Sequence, residues 1–202
     1  MNYKQVKEEV LEYKRILEVA YELLIEEHRK VNKPAQEKGL WTHHTQEWGL
    51  YSHSLEVGKI ASQIINADEE VSLFLNVVAL AHDYGKLYGK TDKDHAYWSL
   101  KFFEEKFIPL LKEEFLKRYP DQEKLFQSFL NSNLYSIMRE VIRWHHFPFE
   151  NSSEVNPQYL PWVLLFVASD FASISRDLIG VNEETFQSIK KKSGRGKKIL
   201  KI

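Results

Sequence analysis

The chain has 202 residues, a net charge near −1, 43% hydrophobic and 28% charged residues, and no cysteine. That is enough apolar material for one folded domain; the missing cysteines exclude a disulfide frame, a thiolate nucleophile and cysteine-ligated zinc. No apolar run reaches membrane-spanning length, and Met1-Asn2-Tyr3-Lys4 opens a charged amphipathic stretch and not a signal peptide, so a cytoplasmic protein without a membrane partner is expected.

The first element in chain order is a long amphipathic helix over residues 3 to 30, with Val6, Val10, Leu11, Tyr13, Leu17, Ala20, Leu24 and Ile25 near the helical period. His28 lies among Glu26, Glu27, Arg29 and Lys30 and is expected at the surface. Asn32-Lys33-Pro34 stops the helix. Residues 35 to 48 read as a loop with Trp41, His43, His44 and Trp48, where histidine is expected to line a pocket or pack. A second helix over 50 to 66 carries Leu55, Val57, Ile60, Ala61, Ile64 and Ile65, with His53 in its first turn.

Residues 69 to 84 form the central helix, apolar on nearly every side and therefore buried. It runs into Ala79-Leu80-Ala81-His82-Asp83-Tyr84-Gly85-Lys86, where Gly85 and Lys86 are expected to end it and open a polar loop to Asp94. A buried carboxylate such as Asp83 is costly unless a cation or hydrogen bonds compensate it. His95 opens a further helix that Pro109 interrupts or restarts before Pro120. Residues 121 to 130 make a short helix or turn. A clear helix over 134 to 146 ends in Trp144-His145-His146, and an apolar helix over 158 to 179 carries Asp170. No strand-like alternation and no repeat is found, so the fold class is all-α.

From residue 188 onward come seven basic residues and no acid, leaving 21 basic against 29 acidic residues, or −8, in the body. The expected organisation is a helical domain over 1–187 and a basic tail over 188–202. Such a tail suits contact with nucleic acid or phosphate, and equally a solvated terminus.

His53, His82, Asp83, His95, His145, His146 and Asp170 all sit at apolar places on different segments, and neutral imidazoles and carboxylates are ligands for divalent ions. The order His53, His82-Asp83, Asp170 resembles the HD-domain metal-dependent phosphohydrolases over residues 49 to about 175. The resemblance implies a helical core holding one or two divalent ions, with Fe, Mn, Zn, Mg and Ni all open. His53, His82, Asp83 and Asp170 are then the basal ligands, and His95, His145 and His146 extend the set to a second ion that Asp83 bridges. Adjacent helical histidines point about 100° apart, so one of the last pair is open to a supporting role. Lys86 takes a position that faces the substrate phosphate in several subfamilies, and is equally a helix C-terminal cation.

His145-His146 is followed by Phe147-Pro148-Phe149-Glu150, which departs from the Gly-Tyr-Pro signature of one cyclic di-nucleotide phosphodiesterase subgroup. His95-Ala96-Tyr97-Trp98-Ser99 is similar to the His-x-x-x-Ser segment of HD nucleases that accompany CRISPR helicases, which makes Ser99 a substrate-side candidate beside Lys86 and His44. The expected activity is hydrolysis of a phosphomonoester or phosphodiester, of nucleotide type, by metal-activated water with Asp83 and Lys86 at its centre. The alternatives are an HD nuclease acting on single-stranded nucleic acid and a noncatalytic module stabilised by its metal.

Overall fold

The computed structural model describes residues 2–31, 34–35, 44, 47–90, 94–146 and 154–178. Among these residues the regular structure is entirely helical, without a strand. The basic tail and the loop residues Trp41 and His43 lie outside them.

The expected single N-terminal helix is two, α1 (Tyr3–Glu12) and α2 (Lys14–Val31). Asn2 caps α1, accepting the Gln5 backbone N–H while its own N–H donates to the Gln5 side chain, each at 3.0 Å. The break falls at Tyr13, whose φ of −101° and ψ of 15° depart from the helix. Its ring packs edge-on against Phe129, 5.7 Å between centroids, and its hydroxyl meets Ser128 Oγ at 2.9 Å. The break therefore coincides with a tertiary contact that a residue-by-residue propensity cannot register.

α3 (Gly49–Ile64) and α4 (Glu69–His82) follow, and α4 is the axis of the molecule. Asp68 caps α4 by accepting the Val71 N–H at 3.0 Å. From Val77 to His82 every side chain is buried, because α1, α2, α3 and α9 (Asn133–Trp144) surround it. α3 comes close because Gly58 has no side chain: a Cβ there would lie 3.2 Å from the Ala79 Cβ and from the Asn76 backbone. The crossing brings the faces of His53 and His82 together.

A single turn, α5 (Tyr84–Leu87), leads to α6 (His95–Phe102), which runs through a π turn at Phe103–Phe107 into α7 (Ile108–Arg118). Pro109 has no N–H to give and its ring crowds the carbonyl four residues back; the widened turn before it absorbs both defects without breaking the rod. α8 (Glu123–Leu130) and α10 (Leu160–Leu178) complete the layer, α10 packing on α3 and α9. No described helix is long and apolar enough to cross a membrane.

His28 corrects one expectation. It is buried at 2% exposure, and its Nε2–H donates to the Leu80 carbonyl at 2.8 Å. The charged neighbours in sequence are misleading, because four residues after Leu24 is the core face of α2. Burial pushes the His28 imidazole down to about 4. The unfolded chain therefore binds the proton more readily between that value and the ordinary 6.5, so the stability held above pH 6.5 falls as the pH drops towards 4. Urea unfolding at pH 7.5 and pH 5 should show His28→Gln, which keeps an N–H donor but does not titrate, losing less stability than the wild type by about 1–3 kcal/mol. Parallel losses in the two proteins would contradict this.

Candidate metal centre

The residues expected at the site come from six segments. His53 lies on α3 and His82 is the last residue of α4. Asp83 does not continue the helix as expected: it caps α4 at φ −101°, ψ 20°, and Tyr84 to Leu87 form a turn of their own. His95 is the first residue of α6, His145 and His146 follow the end of α9, and Asp170 lies on α10. α6 is held at the right height by Gly85, whose N–H donates to Ser99 Oγ at 2.9 Å. A Cβ on Gly85 would stand 2.8 Å from the Ser99 nitrogen and 3.0 Å from the His95 carbonyl oxygen.

Asp83 is fully buried, and its two oxygens face different partners. Oδ2 lies 3.4 Å from His82 Nε2 and 3.8 Å from His53 Nε2. Oδ1 lies 3.3 Å from His95 Nε2 and 3.4 Å from His145 Nε2. Asp170 spans the same gap, Oδ1 standing 3.0 Å from His53 Nε2 and 3.9 Å from His82 Nε2, with Oδ2 3.8 Å from His146 Nε2. Two groups that could hold a metal ion result, His53-His82-Asp83 and His95-His145-His146. The His146 side chain, at 42% exposure, marks the solvent side of an otherwise buried centre.

Protons decide what these distances mean. The Nδ1–H groups of His82 and His145 donate to the carbonyls of Ala79 and Ile142, the second at 2.9 Å. Ser173 gives its one proton to Glu56 Oε2 at 2.9 Å, so its Oγ accepts from His53 Nδ1 at 3.2 Å. In a neutral imidazole the other nitrogen then carries only a lone pair. Burial, partly offset by Asp170 for His53 and by Asp83 for His145, pushes both rings down to about 4. Burial opposes ionisation of Asp83, yet Lys86 and then the surrounding histidines hold it well below the carboxylate range. Asp170 is likewise held low against its burial, by His53, His82 and His146.

The Nε2 lone pairs of His53, His82 and His145 therefore face the oxygens of Asp83 and Asp170. His82 Nε2 and Asp83 Oδ1 are buried without a hydrogen-bond partner, while His145 Nε2, its ring proton being on Nδ1, accepts from His95 Nε2 at 3.2 Å. Such an arrangement is unfavourable by itself and fits divalent cations, whose ligands are these groups in these protonation states.

The remaining expected site residues take supporting places. Lys86 is buried, and its Nζ donates to Asp83 Oδ2 at 2.7 Å. Ser99 is fully buried against Gly85 and is not brought to the ligand cluster. His44 Nε2 lies 3.2 Å from Glu56 Oε2, behind His53, with the two rings 5.2 Å apart. Glu56 and Ser173 were not singled out from sequence. Each lies three residues after a candidate ligand, His53 and Asp170, and so shares its helical face.

A family model described as HD domain matches residues 50–178, from α3 to the end of α10. The match covers more than half of the chain, which belongs to the HD domain family, a superfamily of metal-dependent phosphohydrolases whose domains bind divalent metals. No curated protein and no solved structure matches the chain.

Two expectations concern metal alone. Plasma mass spectrometry should find two equivalents of a divalent metal in the loaded wild type and one in His95→Ala; equal content would remove His95 from the ligand set. Ser173→Ala should weaken metal binding about 10- to 100-fold, read by chelator competition, while Ser173→Thr keeps the hydroxyl and stays near wild type. An unchanged affinity in Ser173→Ala would mean that the hydroxyl does not orient His53.

Proposed function

We propose that the chain hydrolyses a phosphomonoester or phosphodiester, of nucleotide type, at this centre. One observation carries the reading: the two oxygens of Asp83 face separate sets of imidazole nitrogens, the donor arrangement for a pair of cations sharing one carboxylate. His53, His82, Asp83 and Asp170 would hold one ion, and Asp83, His95, His145 and His146 the other. Bound divalent ions would supply Lewis acidity and an activated water near neutral pH.

The chain's own groups do the rest. The Lys86 ammonium keeps Asp83 ionised and orients it, and puts a fixed positive charge beside the place where phosphoryl oxygens gain charge. Asp170 ties the two histidine sets together across the gap. Burial of the other ligands leaves the His146 side for substrate to approach and excludes bulk water elsewhere, which strengthens every charge interaction inside.

Assays with bis(p-nitrophenyl) phosphate, p-nitrophenyl phosphate and nucleotides, each with Mn, Fe, Zn, Mg and Ni, test the proposal. Lys86→Met should lower kcat about 10²- to 10³-fold with metal content kept, and Asp83→Asn should abolish both turnover and full loading. No turnover of any ester in a protein whose melting temperature rises strongly with metal would instead identify a noncatalytic module in which the metal serves folding.

A further inference from the structure

We infer that the outer face of α6, together with the ends of α5 and α9, is a track for single-stranded nucleic acid leading to the metal centre. Four cations on this face lie over aromatic rings. Lys90 Nζ and Lys101 Nζ lie 4.3 and 5.2 Å from the Trp98 ring centre, Lys106 Nζ lies 3.8 Å from that of Tyr88, and the Arg143 guanidinium carbon 5.2 Å from that of Tyr97. The rings themselves are contiguous: Tyr97 to Trp98 is 5.4 Å, Trp98 to Phe102 5.6 Å, and Phe102 to Tyr88 5.0 Å.

Elsewhere on the described surface a cation commonly meets a carboxylate, as in Lys7–Asp68 and Lys112–Glu123 at 2.8 Å and Arg118–Glu22 at 2.6 Å. Lys90, Lys101, Lys106 and Arg143 form no ion pair among the described residues. On a body of charge −8 that is a local concentration of uncompensated positive charge. Of the two acids beside Tyr97, Lys101 and Arg143, Glu104 is already bound by Arg139 at 2.5 Å, leaving Glu105. Tyr97 and Tyr88 remain 47% and 38% exposed, with ring surface for stacking.

Position gives the face its meaning. Tyr97 lies two residues after His95, and Arg143 lies two before His145. Lys106 is eleven residues beyond His95, about 16 Å along the rod at 1.5 Å per residue. Cations in line with aromatic rings suit a backbone of phosphates whose bases are unpaired and can stack. A duplex hides its base faces, and a mononucleotide spans only part of the distance. That the strand's phosphates reach the metals rests on the phosphohydrolase reading; the binding itself does not.

Fluorescence anisotropy of a fluorescein-labelled, phosphorothioate-linked single-stranded DNA of about twelve nucleotides, with the metal-loaded full chain, tests the track apart from any hydrolysis. The strand should bind more tightly than its duplex. The Lys101→Glu/Lys106→Glu double variant should bind it at least tenfold more weakly, with the salt slope flattened by about 1.4 for two lost contacts at about 0.7 each. Tyr97→Ala should cost several-fold with the salt slope kept, and Lys124→Glu on α8 should change little. Binding unchanged in the double variant, equal loss in Lys124→Glu, preference for duplex, or no binding would each overturn the track. Because the phosphorothioate strand is checked to stay intact, failure to hydrolyse any ester leaves a positive result standing, and failure to bind leaves the phosphohydrolase reading standing.

Discussion

The structure depends on one buried carboxylate. Asp83 has no exposure, sits between α4 and α5, and has four imidazole nitrogens within 3.8 Å of its two oxygens. Lys86 compensates it from one side only. The Nδ1 protons of His53, His82 and His145 are committed elsewhere, and burial holds His53 and His145 neutral, so these rings offer it lone pairs and no proton. A buried charge left this way is among the most costly features a core can carry. Divalent cations would turn the same lone pairs from a liability into ligands, which would couple folding to metal binding through the centre.

The surrounding helices are arranged to serve that point. α4 supplies the axis and ends at His82, so that Asp83 turns out of the helical run. Gly58 lets α3 press its His53 face towards α4, and Gly85 with Ser99 fixes where α6 begins and therefore where His95 stands. Behind the ligands, the Ala79 and Ile142 carbonyls and the Ser173–Glu56 pair select the imidazole tautomer. These groups never touch the reacting centre, yet they determine whether its nitrogens can bind a cation.

Periodicity made the helices legible, and order picked out the side chains that converge on the candidate centre. His53, His82-Asp83, His95, His145-His146 and Asp170 stand out because polar side chains interrupt apolar faces, and the structure brings all of them together. What sequence did not reveal depends on neighbours distant in the chain. Tyr13 breaks a helix that its own segment would continue, at the point where it meets Phe129. His28 looks solvated among charged residues, but the helical face that continues from Leu24 turns it inward. Asp83 reads as the continuation of a helix and is instead its end. Ser99 suggests a substrate contact by its spacing from His95, whereas its hydroxyl meets Gly85. The cations over Tyr88, Tyr97 and Trp98 come from segments up to 53 residues apart, and no local pattern joins them.

The central claim is that Asp83 lies between two cation sites built from this chain's imidazoles. Anomalous-difference maps from crystals of the manganese-loaded protein, recorded on both sides of the metal absorption edge, test it most directly. The account predicts two peaks flanking the Asp83 carboxylate, one towards His53 and His82 and the other towards His95 and His145. A single peak, or metal bound away from Asp83, would contradict it.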